Sequence, residues 1–231
     1  MNILITNDDG ANAYGLNLLA RAVKQEFTGA TVVILTTAEA MVGQGMCISP
    51  VHLLDIPVKE REAGLFVCQA KPVDLVYLAL QHPERFLDRG RFDLVVTGVN
   101  HGQNVGMDVF HSGTVGMAML ANASFGLPAM AFSQAMDGFD PDGSADDPRL
   151  FLNAERHVRQ FFRRRRLARG SCWNVNFPVG SVKGWKTCEV APYSWFRPPA
   201  HERPALRSGH DVKALGQGYI TVSRLKLRVN H

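Results

Sequence analysis

Six short apolar runs frame this chain: Ile3–Thr6, Thr31–Leu35, Leu65–Cys68, Leu94–Thr97, Ala129–Phe132 and Trp173–Val175. Continuous apolar runs, unlike alternating ones, fit strands covered on both faces. Between them, apolar residues recur at helical spacing. Leu16, Leu19, Ala20, Val23 and Phe27 follow the first run, Val73, Val76, Tyr77 and Leu80 the third, and Val115, Ala118 and Met119 the fourth. This alternation of strand and helix predicts an α/β fold with a largely parallel sheet. At 231 residues, the chain can bury a sizeable core without disulfides.

Other features narrow the class. Cys47, Cys68, Cys172 and Cys188 are scattered with no CxxC pair, so they read as reduced, mostly buried thiols. No secretory leader pattern and no long apolar span is visible, which predicts a soluble cytoplasmic protein without membrane contact. The net charge is only +4, and much of the excess lies in Arg163–Arg166, read as a solvated helix end. No aromatic residues interleave with that run, and no nucleic-acid duplex partner is expected. The Asp-, Gly- and Pro-rich stretch 137–149 reads as an exposed loop without the ligand ladder of a calcium hand. From about residue 180 the chain turns irregular before a strand-like close, "GYITVS". The expected organisation is a core over 1–180 and an arm with a closing strand over 181–231, within one domain.

The first strand ends in "TNDDG", with Asp8 and Asp9 adjacent. Ligands of parallel α/β sheets bind beyond the carboxyl ends of strands. Two neighbouring carboxylates repel unless a cation or a donor compensates. A divalent metal supplies one answer and a helix start, capped by an aspartate, the other. The stretch from 94 to 120 runs from a buried strand into a helix through Asn100, His101, Gly102, Asn104, Gly106, Asp108, Ser112, Gly113 and Thr114. Asn100 offers a neutral oxygen ligand, and a helix opening at "SGTV" presents N–H groups suited to a phosphate oxygen. A surface Ω-loop is the plainer alternative. His101 and His111 read as loop residues. There is no GxxxxGK[ST], GxSxG, HExxH or GxGxxG, which argues against P-loop, hydrolase-elbow, zincin and dinucleotide folds. Two carboxylates, an amide and an anion-accepting helix start together fit metal-assisted hydrolysis of a phosphate ester.

The stretches "ILITNDDG", "VVTGVNHGQNVGMDVFHSGTVGMAM", "GLPAMAFS", "WNVNFP" and "DVKALGQGYITVS" resemble the SurE family of 5'/3'-nucleotidases in order and spacing. The resemblance implies a Rossmann-like three-layer core with a C-terminal extension or hairpin arm, and assembly as a homodimer or homotetramer. It implies a phosphohydrolase that uses a divalent cation, Mg or Mn, on nucleoside monophosphates or other small phosphate esters. Asp8 and Asp9 match the catalytic aspartates, and Asp8, Asp9 and Asn100 match three metal ligands. Asn104, Ser112, Gly113 and Thr114 match the phosphate-side loop and helix start. The family's fourth ligand, a serine, aligns with Val42, which has no side-chain oxygen. A weakly active or non-catalytic relative that binds nucleotide or phosphate is therefore the alternative. Tyr14, Lys71, Leu120 and His210 also depart from the family pattern; Lys71 stands where a small hydroxyl residue often precedes Pro72. Arg197, Arg203 and Arg207 are expected at the surface.

Overall fold

A computed structural model describes residues 1–136, 148–195 and 207–226. In chain order the elements are β1 (Asn2–Thr6), α1 (Tyr14–Glu26), β2 (Thr31–Thr37), β3 (Val58–Glu62), β4 (Leu65–Cys68), α2 (Pro72–Gln81), β5 (Leu94–His101), α3 (Gly113–Phe125), β6 (Ala129–Gln134), α4 (Ala154–Arg164), β7 (Cys172–Phe177), β8 (Gly184–Thr187), α5 (Asp211–Gly216) and β9 (Tyr219–Leu225). The sheet order is β3-β4-β2-β1-β5-β6-β7-β9-β8. From β4 to β7 the neighbours run parallel. β3 is antiparallel to β4, β9 is antiparallel to β7, and β8 runs parallel to β9.

Each expected strand run lies in the sheet, and its continuous apolar character has a simple cause. Along β1, Leu4 enters the core under α2 and α3, while Ile3 and Ile5 enter the core under α1 and α4. Along β5, Val95 and its neighbours Leu94 and Val96 divide the same way. Successive strand residues face opposite sides, so a sheet with two covered faces needs an apolar residue at every position. The result is the three-layer α/β core. The closing strand, β9, returns to the sheet.

Two edge strands had no apolar signature. In β3 the sequence is Val-Lys-Glu-Arg-Glu, and its last four residues are exposed or nearly so. β8 is short and half-exposed. The basic run does close a helix, but its side chains are largely occupied. Arg163 Nε lies 2.9 Å from both Glu26 carboxylate oxygens. The Arg164 and Arg165 guanidinium groups lie over Trp185 and Trp173, at 5.3 and 5.0 Å from the ring centroids. The aromatic partners absent from the local sequence arrive through the fold. No described helix is long and apolar enough to cross a membrane. Residues 137–147, Arg197 and Arg203 lie outside the described residues, and Arg207 is exposed.

Candidate metal centre

The alternation that builds β1 continues past its end. Leu4 faces the α2–α3 core and the Thr6 hydroxyl donates to Met117 Sδ in α3 at 3.3 Å. Asp8, two residues on, faces the same helix and is 2% exposed. Its Oδ1 accepts the Thr114 hydroxyl. Its Oδ2 lies beside Gly113, at the start of α3, only 2.5 Å from where a Cβ on that glycine would stand. Asp9 turns elsewhere: its Oδ2 accepts the His101 N–H at 3.4 Å, at the end of β5. The two adjacent carboxylates are thus directed to different neighbours, which limits their mutual repulsion.

The turn holding them is itself tied down. Asn7 is fully buried; its Nδ2 donates to Gly10 O at 3.1 Å and its Oδ1 accepts the Thr36 hydroxyl. This residue was missed in the sequence reading. The available signal was an amide three residues before a glycine, a common turn-forming pattern.

Asn100 reaches the same place because β5 breaks its own alternation. The β5–β6 register shifts between Thr97 and Asn100. There Gly98 has φ +109°, and a Cβ on it would lie 2.2 Å from Phe132 O, so only glycine fits. Val99 therefore packs in the α1–α4 core, and Asn100 joins Thr97 on the α3 side. The Thr97 hydroxyl donates to Thr114 O at 2.8 Å. Asn100 Nδ2 donates to Gly102 O at 2.8 Å, which leaves Oδ1 facing the Thr114 hydroxyl oxygen at 3.1 Å. One hydroxyl thus stands between Asp8 and Asn100. It carries a single proton, which goes to the carboxylate.

The opening of α3 lies against Asp8. The Thr114 hydroxyl donates to Asp8, and Val115 N–H donates to Ser112 Oγ at 3.0 Å. The chain's own carboxylate occupies the helix start. Gly113 makes this possible, since a Cβ there would lie 2.5 Å from Asp8 Oδ2. Asn104 is held by the sheet. Its N–H donates to Asn176 Oδ1 at 2.7 Å, its Nδ2 to Ser133 Oγ at 2.9 Å, and its carbonyl accepts from Asn174 at 2.7 Å and Asn176 at 3.1 Å.

Burial pushes the Asp8 carboxyl above the ordinary carboxylate range, against the opposing pull of the Thr114 hydroxyl and the helix N–H groups. A carboxylate removed from water stays charged at little cost when a cation or several hydrogen-bond donors stand beside it. Asp211 is buried too and also pushed up, but its oxygens accept N–H groups of Gly106, Ala191 and Val212 at 2.8–3.1 Å and tie loops together. Among the described residues no group of three His, Cys, Asp or Glu side chains gathers. The donor set at the end of β1 and β5 is two carboxylates and an amide oxygen, hard ligands that fit Mg²⁺ or Mn²⁺. Val42 supplies no further oxygen; it is 65% exposed on the neighbouring loop. A cleft of about 320 Å³, lined by Ala38, Glu39, Met41, Ser49, Gln69, Ala70 and Lys71, opens next to this loop. Another, of about 420 Å³, lies between Gln103, Met136, Lys183, Trp195 and Leu215 and includes neither aspartate.

A doubly covered, mostly parallel sheet with an acidic, oxygen-rich cluster at the carboxyl ends of β1 and β5 defines an α/β protein of the strand-end-site class. The family described as "Survival protein SurE" matches residues 3–197. A 5'-nucleotidase SurE of Bacteroides thetaiotaomicron is 32% identical over 196 residues, covering 84% of this chain and 71% of the relative. One from Ehrlichia chaffeensis is 26% identical and covers 98% of this chain and 92% of itself. The crystal structure of SurE from Aquifex aeolicus superposes with a TM-score of 0.78 at 22% identity, covering 100% of this chain and 95% of that one. The chain belongs to the SurE family.

Proposed function

We propose that this chain is a divalent-metal-dependent 5'-nucleotidase that releases phosphate from nucleoside monophosphates or related small phosphate esters. The observation that carries this reading is the convergence of Asp8 and Asn100 on the Thr114 hydroxyl, with Asp9 held at the end of the adjoining strand. The relatives' name, 5'-nucleotidase SurE, supports the same activity. Asp8, Asp9 and Asn100 would hold the Mg or Mn ion. When bound, such an ion polarises a phosphoryl oxygen and makes water a better nucleophile near neutral pH. The protein's own part is positional. The Thr114 hydroxyl holds Asp8 in one orientation, and the His101 N–H does so for Asp9. One aspartate orients the attacking water and accepts its proton. Ser112, Gly113 and Thr114 at the start of α3, with Asn104 on the preceding loop, serve the phosphate side. Free thiols at all four cysteines fit a reducing, cytoplasmic setting. Assembly as a homodimer or homotetramer is part of the same reading.

The experiment is phosphate release from AMP and GMP with Mn²⁺ or Mg²⁺. Turnover by the pure protein, lost with a chelator and with Asp8→Asn, is expected. Absence of turnover with either ion, or an Asp8→Asn variant equal to the parent, overturns the proposal. Val42 favours a second reading, a nucleotide- or phosphate-binding relative without turnover. A large gain of activity in Val42→Ser over a nearly silent parent supports that reading, and a fast parent enzyme removes it.

A further inference from the structure

The modest net charge of +4 hides a strong segregation. Residues 156–188 and 212–231 carry 13 of the chain's 25 Lys and Arg and none of its 21 Asp and Glu, so the remainder is acidic on balance. Such asymmetry within one chain points to a polyanionic partner. The fold brings several of these cations together. α4 closes with Arg163 and Arg164, and Arg165, Arg166 and Arg169 follow on the way to β7. β9 places Arg224 opposite Trp173, the second residue of β7. Trp173 in turn pairs with Met130, the second residue of β6. The cluster therefore stands at the amino ends of the parallel strands, the end of the sheet away from Asp8, Asp9 and Asn100.

One of these charges is neutralised, since Arg163 pairs with Glu26. Among the described residues no carboxylate pairs with Arg164, Arg165, Arg166, Arg169 or Arg224. Three of the five rest on indoles instead. The Arg165 and Arg224 guanidinium groups lie 5.0 and 5.8 Å from the Trp173 ring centroid, and that of Arg164 lies 5.3 Å from Trp185. Arg165 Nη2 also donates to Thr187 Oγ1 at 3.2 Å. The two rings are half-buried and pack against the α1–α4 core, while Arg164, Arg166, Arg169 and Arg224 are exposed. An aromatic support holds a guanidinium in place and leaves its charge uncompensated. Planar cations held this way suit unpaired nucleotides: bases stack on guanidinium faces and phosphates take the N–H groups. We propose that this end of the sheet docks single-stranded nucleic acid. A duplex keeps its base faces stacked on each other and offers none. A lipid surface calls for exposed apolar side chains among the cations, and among the described residues no large one is exposed in 153–178 or 207–226. The proposal stands apart from the phosphohydrolase reading, which concerns the other end of the sheet.

The test is fluorescence anisotropy with a labelled single-stranded oligonucleotide of about 12 nucleotides, across a series of salt concentrations. The parent is expected to bind with a log–log salt slope of about −3, as for roughly four phosphate contacts on a single strand. The pair Arg165→Gln with Arg224→Gln should weaken binding by about tenfold or more and flatten the slope. The exposed pair Arg166→Gln with Arg169→Gln should act in the same direction, and it touches no indole. Lys59→Gln with Arg61→Gln removes the same charge from the opposite sheet edge, β3, and should leave binding within about twofold. Circular dichroism of each variant checks folding. An abasic strand of the same length and the matching duplex should both bind more weakly than the base-bearing strand. Four results overturn the proposal: no binding by the parent, equal loss in the β3 control, an abasic strand or duplex that binds as tightly, or binding to phosphatidylserine vesicles in place of the oligonucleotide.

Discussion

Asp8 and the loop at 38–49 lie side by side, and they are held very differently. Asp8 is buried, extends the alternation of a central strand, is bound by the hydroxyl of Thr114 and lies against Gly113 at the start of α3. Asn100 is placed beside it by a register shift that needs Gly98. The loop is attached at points: Met41 N–H to Asp8 O at 2.7 Å, Gly45 N–H to His111 O at 3.0 Å, Ser49 N–H to Asp74 Oδ2 at 2.9 Å, and the Lys71–Gln44 contact. Between those points Val42, Met46, Cys47 and Ile48 are exposed. The strand-end wall thus carries its polar side chains as part of the core, where any change disturbs packing. The loop carries residues that can change without that cost, and the departure at position 42 occurs there.

Gly113→Ala strikes the wall hardest. The added Cβ meets Asp8 Oδ2 at 2.5 Å and Asp8 Cγ at 3.1 Å, and Pro72 closes the other side. Activity should fall by about a hundredfold or more. Stability should drop by about 1–3 kcal/mol in urea unfolding. Full activity in this variant would mean that Asp8 can move freely, and the contrast between wall and loop would collapse. Thr114→Val keeps the shape and deletes the hydroxyl between Asp8 and Asn100. Mn²⁺ affinity should weaken by about 10–100-fold, as for other groups that orient metal ligands. An unchanged Mn²⁺ titration would show that the hydroxyl orients nothing.

On the loop side, effects should be smaller and can be favourable. Val42→Ser removes an exposed apolar side chain and adds an oxygen. Mn²⁺ should bind about tenfold tighter as a ligand is gained, while the melting temperature stays the same within error. A loss of stability would show that Val42 packs in solution. The mildest test is thiol labelling. Burial pushes the Cys68 and Cys172 thiols up to about 12 and Cys188 to about 11. At about pH 8 a thiol reagent should therefore modify only Cys47 in the native protein, and the other thiols only after denaturation. Rapid modification of a second thiol would place the division between loop and frame elsewhere.

Much of this was legible in the sequence, for a physical reason. Central strands with both faces covered must be apolar throughout, so Ile3–Thr6 and Leu94–Thr97 announced themselves. β3 and β8 lie at the sheet edges, where one side meets water, and their composition carries no such constraint. Asp8, Asp9 and Asn100 stood out because polar residues end buried strands. Which partner each would find did not stand out. The role of Thr114 depends on a helix 106 residues from Asp8 in the chain, and the inversion that brings Asn100 to the α3 side depends on the approach of β6 at Gly98. That Asp8 comes to lie beside the start of α3 was out of reach as well, since it joins distant parts of the chain. The contact between Lys71 and Gln44 was equally out of reach, since it joins two loops.

The central claim is that Asp8, Asp9 and Asn100 form one divalent-cation site. Calorimetric titration of the metal-free protein with Mn²⁺ tests it without recourse to turnover. The account predicts saturation at about one ion per chain, a loss of binding in Asp8→Asn and a marked weakening in Asn100→Ala, with folding retained by circular dichroism. A parent protein that binds no Mn²⁺, or an Asp8→Asn variant that binds it as tightly as the parent, would contradict it.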